Sequence, residues 1–503
     1  MAESEVELKL AIAEQDIWRL QRLPLLNAAT RKKFPGSNLR NIYYDTPDLR
    51  LKAQGIALRL REKHGKWLQT IKMQGRVTAG LHQRPEWETE TAANTFDFNL
   101  VPDHEVRELL SDPSIHTQLR PVFVTEFKRF DRLLELADGS QCTFSLDRGS
   151  IAAADKTSPI REIELELISG NPAALFTFAR ALLEHIPVRL EQDSKAARGF
   201  ALLSNAVLTP TKATPIGLNK RMTVTQGFIE IASACLDQLT ANEAGVALGH
   251  DQEFVHQMRV ATRRLRTAVK LFEAHIKSEQ LAAIDTELKW LGSELGATRD
   301  YDVFLSETLP PICAAYPNHA ELTQLRIDTE ALQQRALTAS RATIQSTRYQ
   351  QLLMAAGAEL LNLSRSPDVK ATTKQSESML DFAQAKLAKH HRRIKQHAKH
   401  LVSLGAEERH GVRILGKRLR YAGEFFTSLF PSKHAKPYLR HLANLQTVLG
   451  ALNDGATATT ILSQLHNPAG SALVQAWLLG AQQAYLAQLE QSSKNFLEQQ
   501  TFW

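Results

Sequence analysis

The pattern of apolar and polar residues changes character partway along the chain. Up to about Leu203, apolar and polar residues mostly alternate, as they do in β-strands that bury one face. From about residue 221 to the C-terminus, long stretches rich in Ala, Leu, Gln, Glu, Lys and Arg follow the spacing of amphipathic α-helices. The pattern therefore predicts an α+β protein with a β-rich first part and an all-α second part.

Eight segments of the first part are predicted strands, and two stretches near residues 12–27 and 171–187 are predicted helices. The strand candidates are EVELKL, NIYYDT, ALRLRE, WLQTIK, RPEWETE, VFVTEFKRF, CTFSLDRG and EIELEL. Many of them place charged residues at every second position, which gives a strand one apolar and one charged side. Taken alone, EVELKL reads as the solvated face of an edge strand. Together, eight such strands can close into an antiparallel barrel whose apolar face packs against helices and whose charged face lines a wet interior.

The two parts are predicted to be separate domains. The segment LTPTKATPIGLNK, rich in Thr and Pro, reads as a linker. We therefore expect a barrel domain over residues 1–204, a linker over residues 205–220 and a helical domain over residues 221–503.

The helical part contains an internal repeat. VHQMRVATRRLRTAVKLF aligns with RHGVRILGKRLRYAGEFF at an offset of 154 residues, and the same offset aligns LGATRD with LGALND. Because two separate blocks share one offset, a duplicated helical bundle is predicted.

Composition narrows the class of protein. With 43% hydrophobic and 23% charged residues, the chain has the balance of a soluble globular protein. No apolar run reaches the roughly 20 residues that a membrane helix needs, and the acidic N-terminus lacks the layout of a signal peptide. We expect a cytoplasmic protein with no membrane partner.

Charge is unevenly distributed along the chain. Between Asp381 and Arg440 the sequence contains fourteen Lys or Arg residues and only four acidic residues. This excess of positive charge favours an anionic partner. These basic stretches lack interleaved aromatic residues and nucleic-acid motifs, so no specific nucleic-acid partner is expected.

The strand carboxylates are candidate metal ligands. Glu5 and Glu7 lie two residues apart on one strand, so their backbones are about 6.5 Å apart and their side chains can converge on one cation. Glu164 and Glu166 can complete the site from another strand. Oxygen ligands favour Mg²⁺ or Mn²⁺ over zinc.

The same barrel strands carry more positive charge than a protein buries without an anion. The basic residues are Lys9, Arg59, Arg61, Lys72, Arg84, Arg129 and Lys195. A tunnel that holds both sets of charges fits a metal-bound oligophosphate.

These residues carry a resemblance to a known family. EVELKL resembles the Glu-x-Glu-x-Lys signature of the CYTH, or triphosphate tunnel metalloenzyme, superfamily, and NIYYDTPDLRL, GRVTAGLHQRPEW, SLDRG, PIREIELELISG and DSKAARG resemble further blocks of its bacterial inorganic triphosphatase branch. The helical part resembles the CHAD domain, which is associated with polyphosphate. The resemblance implies metal ligation by Glu5, Glu7, Glu164 and Glu166, with Glu162 on the same face. It implies phosphate binding by Lys9, Arg59, Arg61, Lys72, Arg84, Arg129, Lys195 and Arg198.

The expected reaction is hydrolysis of inorganic triphosphate to pyrophosphate and phosphate, with Lys9 in the catalytic set and Glu86 or Glu88 orienting the attacking water. Hydrolysis of thiamine triphosphate, cyclisation of ATP and non-enzymatic binding of a polyanion stay open as alternatives. Asp147 in SLDRG is either a turn former or a site residue. His82 is interpreted as a loop residue.

Two basic stripes are predicted in the helical part, where residues three or four apart share a helix face. The stripes are His256, Arg259, Arg263 and Arg266, and His410, Arg413, Lys417 and Arg420. A single stripe is typical of a solvated surface, but two related stripes can face each other across a groove if an anion lies between them. We expect this groove to bind polyphosphate, more tightly below about pH 6.5 as the histidines protonate.

Overall fold

A computed structural model of the protein describes residues 4–63, 65–204, 207–249, 251–366 and 377–503. The chain forms two compact units. The barrel unit comprises Met1–Val207 and Gln350–Leu361, and the helical unit comprises Leu208–Tyr349 and Asn362–Trp503.

The barrel unit contains an eleven-stranded antiparallel sheet in the part of the chain that the structure describes. Its strands are β1 (Ser4–Ile12), β2 (Thr30–Lys33), β3 (Ser37–Asp45), β4 (Ile56–Lys63), β5 (Lys66–Met73), β6 (Arg76–Thr78), β7 (Leu81–Thr91), β8 (Arg120–Glu135), β9 (Gln141–Ala153), β10 (Lys156–Ser169) and β11 (Val188–Leu190).

Eight of these strands form a closed ring. The order β1-β10-β9-β8-β3-β4-β5-β7 returns to its start because β7 also pairs with β1. The eight ring strands are the eight that the sequence predicts, so the predicted eight-stranded antiparallel barrel is confirmed. The short strands β2, β6 and β11 were not predicted and add to the ring from β8, β7 and β1.

Short helices cover the outside of the barrel. They are α1 (Ile17–Arg22), α2 (Pro24–Ala29), α3 (Arg50–Ala53), α4 (His104–Ser111), α5 (Pro113–His116) and α6 (Ala173–Leu183). A seventh helix, α7 (Lys195–Leu203), instead contributes side chains to the barrel interior. Leu58 of β4 and Ile71 of β5 pack in one buried cluster with Val106 and Leu110 of α4 and Ile115 of α5. The apolar side of the strands therefore faces outward, which leaves the charged side for the interior.

Part of the interior is apolar, which the alternating charges did not predict. Phe123 and Phe127 lie on the same face of β8 as the charged Arg129, because the three are spaced by even numbers of residues. Phe200 of α7 packs against this face, with its ring centroid 5.0 Å from that of Phe123. A Cβ on Gly199 would lie 2.2 Å from the Phe123 ring, so only glycine allows α7 to pack this closely.

The helical unit is all-α in its described residues. Its helices are α8 (Val224–Thr240), α9 (Glu243–Leu248), α10 (Glu253–Phe272), α11 (Glu279–Glu294), α12 (Gly296–Val303), α13 (Leu309–Ala315), α14 (Ala320–Gln345), α15 (Thr347–Ser364), α16 (Met379–Ala398), α17 (Ala406–Phe426), α18 (Ser432–Leu462) and α19 (Pro468–Leu497). The stretch Gln350–Leu361 of α15 belongs to the barrel unit. None of the helices in the described ranges is both long and apolar enough to cross a membrane.

The internal repeat appears as paired helices. The first stripe lies on α10 and the second on α17, at equivalent positions of the two copies. The first copy then continues through two helices, α11 and α12, whereas the equivalent residues of the second copy lie in the single helix α18.

The predicted linker lacks helix and strand from Val207 to Asn219, while residues 205 and 206 lie outside the described residues. It is nevertheless anchored from Leu208 onward within the helical unit. Thr211 exchanges two hydrogen bonds with the Asn242 side chain, and the backbone N–H of Leu218 donates to Ser428 Oγ at 3.0 Å.

Candidate active site and anion groove

Strand β1 places its three charged residues inside the barrel. Glu7 and Lys9 are only 3% and 2% exposed. In the sheet register, Glu5 lies opposite Arg84 of β7, and Lys9 lies opposite Glu164 of β10. The interpretation of EVELKL as the solvated face of an edge strand is therefore wrong.

A cavity of about 1200 Å³ occupies the barrel unit, and most of the predicted site residues line it. The predicted residues that line it are Glu5, Glu7, Lys9, Arg59, Arg61, Lys72, Arg84, Glu86, Glu88, Arg129, Glu164, Glu166 and Lys195. Glu162 and Arg198 do not line it, and they pair with each other at 3.1 Å. Glu166 is exposed.

Lys195 stands at the centre of a buried acidic cluster. Helix α7 begins at Lys195, after Ser194 caps it by accepting a hydrogen bond from the Ala197 N–H. The Lys195 ammonium pairs with Asp147 at 2.7 Å, with Glu164 at 2.9 Å and with Glu162. Burial opposes its charge, but Asp147 and the two glutamates outweigh burial and raise the pKa of Lys195 well above its usual value.

Asp147 is the residue whose role the sequence left undecided between a turn and the site. It is fully buried in β9, opposite Glu162, and so is not a turn former. Arg129 binds it with two hydrogen bonds, from Nε at 2.8 Å and from Nη2 at 2.7 Å. Although burial opposes the ionised form, Arg129 and Lys195 hold the pKa of Asp147 below its usual range.

Glu164 is shared by three cations. Lys9, Arg129 and Lys195 all pair with it. Burial would raise its pKa, but these cations hold the pKa of Glu164 well below the usual value. The carboxylate is therefore ionised and fixes the heads of two lysines and an arginine.

A second group of ion pairs lies around β5 and β7. Lys72 bridges Glu5 at 2.9 Å and Glu86 at 2.6 Å, and Arg84 Nε donates to Glu5 at 2.9 Å. Burial opposes the ionisation of Glu5, but Lys72 and Arg84 lower the pKa of Glu5 strongly.

Glu88 holds the arginines of β4. It accepts hydrogen bonds from Arg61 Nη1 at 3.2 Å and from Thr70 Oγ1 at 2.9 Å, and Arg59 lies 3.6 Å away. Arg61 and Arg59 overcome burial and lower the pKa of Glu88. Burial and the neighbouring Arg59 lower the pKa of Arg61 to about 10.

Glu7 is a buried carboxylate whose neighbouring cations do not offset the cost of burying its charge. Lys9 lies 2.6 Å from it and Arg84 lies 3.5 Å from it. Burial, with the like charges of Glu164 and Glu5, nevertheless raises the pKa of Glu7 to about 7. A cation bound beside Glu7 would favour its ionised form. The acidic trio Asp147, Glu162 and Glu164, with oxygens within 4.8 Å of one another, could also hold one, but Lys195 already contacts all three.

His82 is a further interior residue that the sequence reading placed wrongly in a loop. It lies in β7 opposite Glu7, and only 3% of it is exposed. Burial, with the nearby charges of Lys9 and Arg84, lowers the pKa of His82 to about 3. The ring is therefore neutral at physiological pH.

The two basic stripes of the helical unit meet in one cluster, here called the anion groove and defined by Arg259, Arg263, Arg413 and Lys417. Burial and the positive charges of Arg263 and Arg413 lower the pKa of Lys417 to about 7. Burial and Arg263 lower the pKa of Arg259 to about 10. The predicted repulsion between facing stripes is therefore present in the structure.

Two aspartates lie at equivalent positions of the groove. Arg259 lies 3.9 Å from Asp300, and Arg413 lies 3.8 Å from Asp454, one pair in each copy of the repeat. Burial raises the pKa of both aspartates. Arg299, which the stripe pattern missed because it lies on α12, adds its positive charge near Arg259.

The remaining stripe residues divide between the groove and its surroundings. Arg266 pairs with Asp285 at 3.1 Å, and Arg420 pairs with Glu424 at 2.8 Å, so acids already satisfy both. His410 contacts the Asn453 side chain. Burial, with Arg299 nearby, lowers the pKa of His256 to about 4, so this histidine does not titrate near pH 6.5 as expected.

Comparison with known proteins identifies two domain families. Residues 3–200 match the CYTH domain, and residues 230–463 match the CHAD domain. The chain is 37% identical to an inorganic triphosphatase of Haemophilus influenzae over 210 residues, which are 41% of this chain and 56% of that protein. The chain therefore spans little more than half the length of this relative.

Two further relatives cover the helical part. An uncharacterised protein of Mycobacterium tuberculosis is 25% identical over 90% of this chain and 88% of its own length. The crystal structure of the CHAD domain from the plant Ricinus communis is 33% identical, with a TM-score of 0.50, and covers 57% of this chain and 96% of that domain.

Proposed function

Because the chain belongs to the proteins that join a CYTH domain to a CHAD domain, we propose that its barrel hydrolyses inorganic triphosphate with the help of a divalent metal ion and that its helical unit binds polyphosphate. The similarity to an inorganic triphosphatase supports the first activity for the barrel. The observation that carries it is the cavity itself, which nine lysine and arginine side chains line together with acids of β1, β7 and β10.

The proposed metal ligands are Glu5 and Glu7, completed by Glu164 or Glu166 of β10. Glu7 lies opposite Glu166 in the sheet register, and burial with the like charge of Glu164 raises its pKa, which a bound cation would lower again. Carboxylate oxygens suit Mg²⁺ or Mn²⁺. When bound, such an ion would supply positive charge to the phosphoryl oxygens. Glu162 is less suited to this role, because Lys195 and Arg198 already pair with it.

The basic residues of the interior would bind the triphosphate oxygens. Lys9, Arg129 and Lys195 lie on one side of the cavity around Glu164, and Lys72, Arg84, Arg59 and Arg61 lie around Glu5, Glu86 and Glu88. Each of these cations is held by a carboxylate, so it is oriented before the substrate arrives. Preorganised charge of this kind stabilises the transition state without reorganisation of the site.

In the proposed reaction, a water molecule adds to a terminal phosphorus and the bridging P–O bond breaks, which yields phosphate and pyrophosphate and releases the proton of the water. Glu86 or Glu88 would accept a hydrogen bond from that water and orient it. The lowered pKa of Glu88 keeps it ionised at neutral pH and able to accept. Arg198 would act indirectly, since it lies beside Glu162 and does not line the cavity.

A larger triphosphate is the second candidate substrate. Tyr43, Phe127 and Phe200 also line the cavity, and such rings could contact the organic part of thiamine triphosphate or ATP. Tyr43 already stacks on Phe123 with centroids 4.4 Å apart, and Phe200 contacts Phe123 as well. The Phe127 ring, in turn, lies against the cations of Arg129 and Lys195. Because all three rings already have partners within the barrel unit, we favour inorganic triphosphate.

Phosphate release from tripolyphosphate, thiamine triphosphate and ATP, each with Mg²⁺ or Mn²⁺ and with excess chelator, tests the proposal. We expect tripolyphosphate to be turned over fastest, ATP poorly and nothing in chelator. Equal turnover of ATP and tripolyphosphate, or full activity in chelator, would contradict it. Absence of any turnover, with retained binding of the anions, would leave a non-enzymatic polyanion binder.

For the helical unit, polyphosphate is proposed because the anion groove gathers basic side chains from both copies of the repeat. A linear polyanion can contact both stripes at once and relieve the repulsion that lowers the pKa of Lys417. Contacts of this kind release counterions, so the affinity should fall steeply with added salt.

A further inference from the structure

The segment Gln350–Leu361 of α15 is part of the barrel unit, although the rest of the barrel unit ends at Val207. Its contacts within that unit are specific. Gln350, only 3% exposed, accepts a hydrogen bond from the backbone N–H of Leu190 at 2.9 Å. The next residue, Gln351, exchanges hydrogen bonds with Arg180 of α6.

The contact at Gln350 leads to the backbone of Lys9. Leu190 is the last residue of β11 and pairs with Leu10 of β1. The next residue, Glu191, donates its backbone N–H to the carbonyl oxygen of Lys9 at 2.9 Å. Gln350 therefore fixes the end of β11, and the residue after that end binds the carbonyl oxygen of Lys9.

A second contact leads to the other side of Lys9. Gly357 packs so closely that a Cβ there would lie 2.6 Å from the Phe176 ring and 3.1 Å from Ala79 Cβ. Ala79 and Gly80 form a tight turn with positive φ values of 49° and 78°. The carbonyl oxygen of Gly80 accepts the backbone N–H of Lys9 at 3.2 Å.

From these contacts we infer that Gln350 is a positioning residue for Lys9, and that the segment Gln350–Leu361 braces both peptide groups of that lysine from outside the barrel. Lys9 is one of the proposed substrate-binding groups, so this inference rests on the proposed function. A shift of about 1 Å in such a group can lower a rate by about 100-fold. The brace would hold the ammonium between Glu7 and Glu164.

Two substitutions at Gln350 separate its hydrogen bond from its volume. Gln350→Met has a similar shape but accepts no hydrogen bond, whereas Gln350→Glu keeps an acceptor. We expect Gln350→Met to lower kcat/KM for tripolyphosphate about tenfold and Gln350→Glu to stay nearer the wild type. Gln351→Met makes the same change one residue away, where the partner is Arg180 of α6 and not the strand end beside Lys9, so we expect it to lower kcat/KM less than Gln350→Met does.

A comparison in the Lys9→Met background distinguishes positioning from general support of the fold. If Gln350 acts through Lys9, Gln350→Met should lower kcat/KM less than about twofold in a protein that already carries Lys9→Met. A change of that size is within the usual deviation from additivity of two independent substitutions. Equal losses in both backgrounds, or unchanged turnover in Gln350→Met alone, would overturn the inference.

If the wild-type protein hydrolyses no tripolyphosphate, the proposed function fails by itself. The same four proteins can then be titrated calorimetrically with tripolyphosphate, and the same comparison of affinities decides whether Gln350 acts through Lys9. Gln350→Leu, which also accepts no hydrogen bond from Leu190, provides the second test should Gln350→Met fold poorly.

Discussion

Lys195 and Asp147 form an ion pair 2.7 Å long inside the barrel, with Asp147 completely buried. Arg129 donates two hydrogen bonds to the same carboxylate. One aspartate of β9 therefore fixes a cation of α7 and a cation of β8.

Replacement of Asp147 by Asn should destabilise the barrel by about 3 kcal/mol, because loss of one partner from a buried pair costs about 3–5 kcal/mol and Lys195 keeps Glu162 and Glu164. Hydrogen exchange of the β9 amides measures this loss within the barrel. Asp155→Asn, at an exposed turn, is the control. Unchanged protection in Asp147→Asn would show that this pair does not stabilise the sheet.

Glu7→Gln should lower tripolyphosphate turnover by at least about 100-fold, as loss of a metal ligand removes several kcal/mol of charge stabilisation. The melting temperature should not fall, because the raised pKa of Glu7 shows that its charge is unfavourable in the folded site. Phosphate release and thermal melting measure the two effects. Glu14→Gln, a change outside the cavity, is the control. Turnover close to wild type would remove Glu7 from the proposed metal site.

Charge reversal in the anion groove should separate the two proposed activities. We expect Arg263→Glu combined with Lys417→Glu to abolish polyphosphate binding by the full chain, since both residues contribute to the repulsion that a polyanion would relieve. Tripolyphosphate turnover should be retained. Lys277→Glu with Lys494→Glu makes the same change of charge at exposed positions and should bind normally. Calorimetric titration at low salt decides, and unchanged affinity in the groove variant would contradict the proposal.

Polyphosphate affinity should depend on pH through Lys417. In the free protein its pKa is about 7, and a bound polyanion favours the charged form and raises that pKa. Binding then takes up a proton above pH 7, so affinity should be constant below about pH 7 and should fall as the pH rises. Lys417→Arg stays charged and should flatten this dependence. A wild-type affinity that stays constant as the pH rises above about 7 would contradict this role of Lys417.

Alternation along the strands was enough to predict the barrel and the inward direction of its charges, because a strand places every second residue on one face. Thus Glu5, Glu7 and Lys9 were located correctly in the interior. The same reasoning could not decide on Asp147, since an Asp-Arg-Gly run also occurs in turns. His82 was misplaced because a proline three residues later suggested a loop, whereas Pro85 lies within β7.

Local sequence patterns also did not predict contacts between residues that are far apart in the sequence. The helical spacing that predicted the stripes says nothing of the acids on neighbouring helices that pair with Arg266, and Arg299 lies on a different helix from either stripe. Similarly, α15 reads as an ordinary amphipathic helix, and no periodicity in it indicates that Gln350 will meet Leu190.

That last contact has a consequence for synthesis. Gln350 follows Leu190 by 160 residues in the sequence. At a synthesis rate of roughly 5–20 residues per second, Gln350 is therefore added to the chain about 8–32 s after the last barrel strand. During this interval the nascent barrel has all its strands, yet the Leu190 N–H and the Phe176 ring lack their partners. A chaperone that protects this surface, or a pause in translation before residue 361, would therefore act on a barrel that is closed but not yet covered.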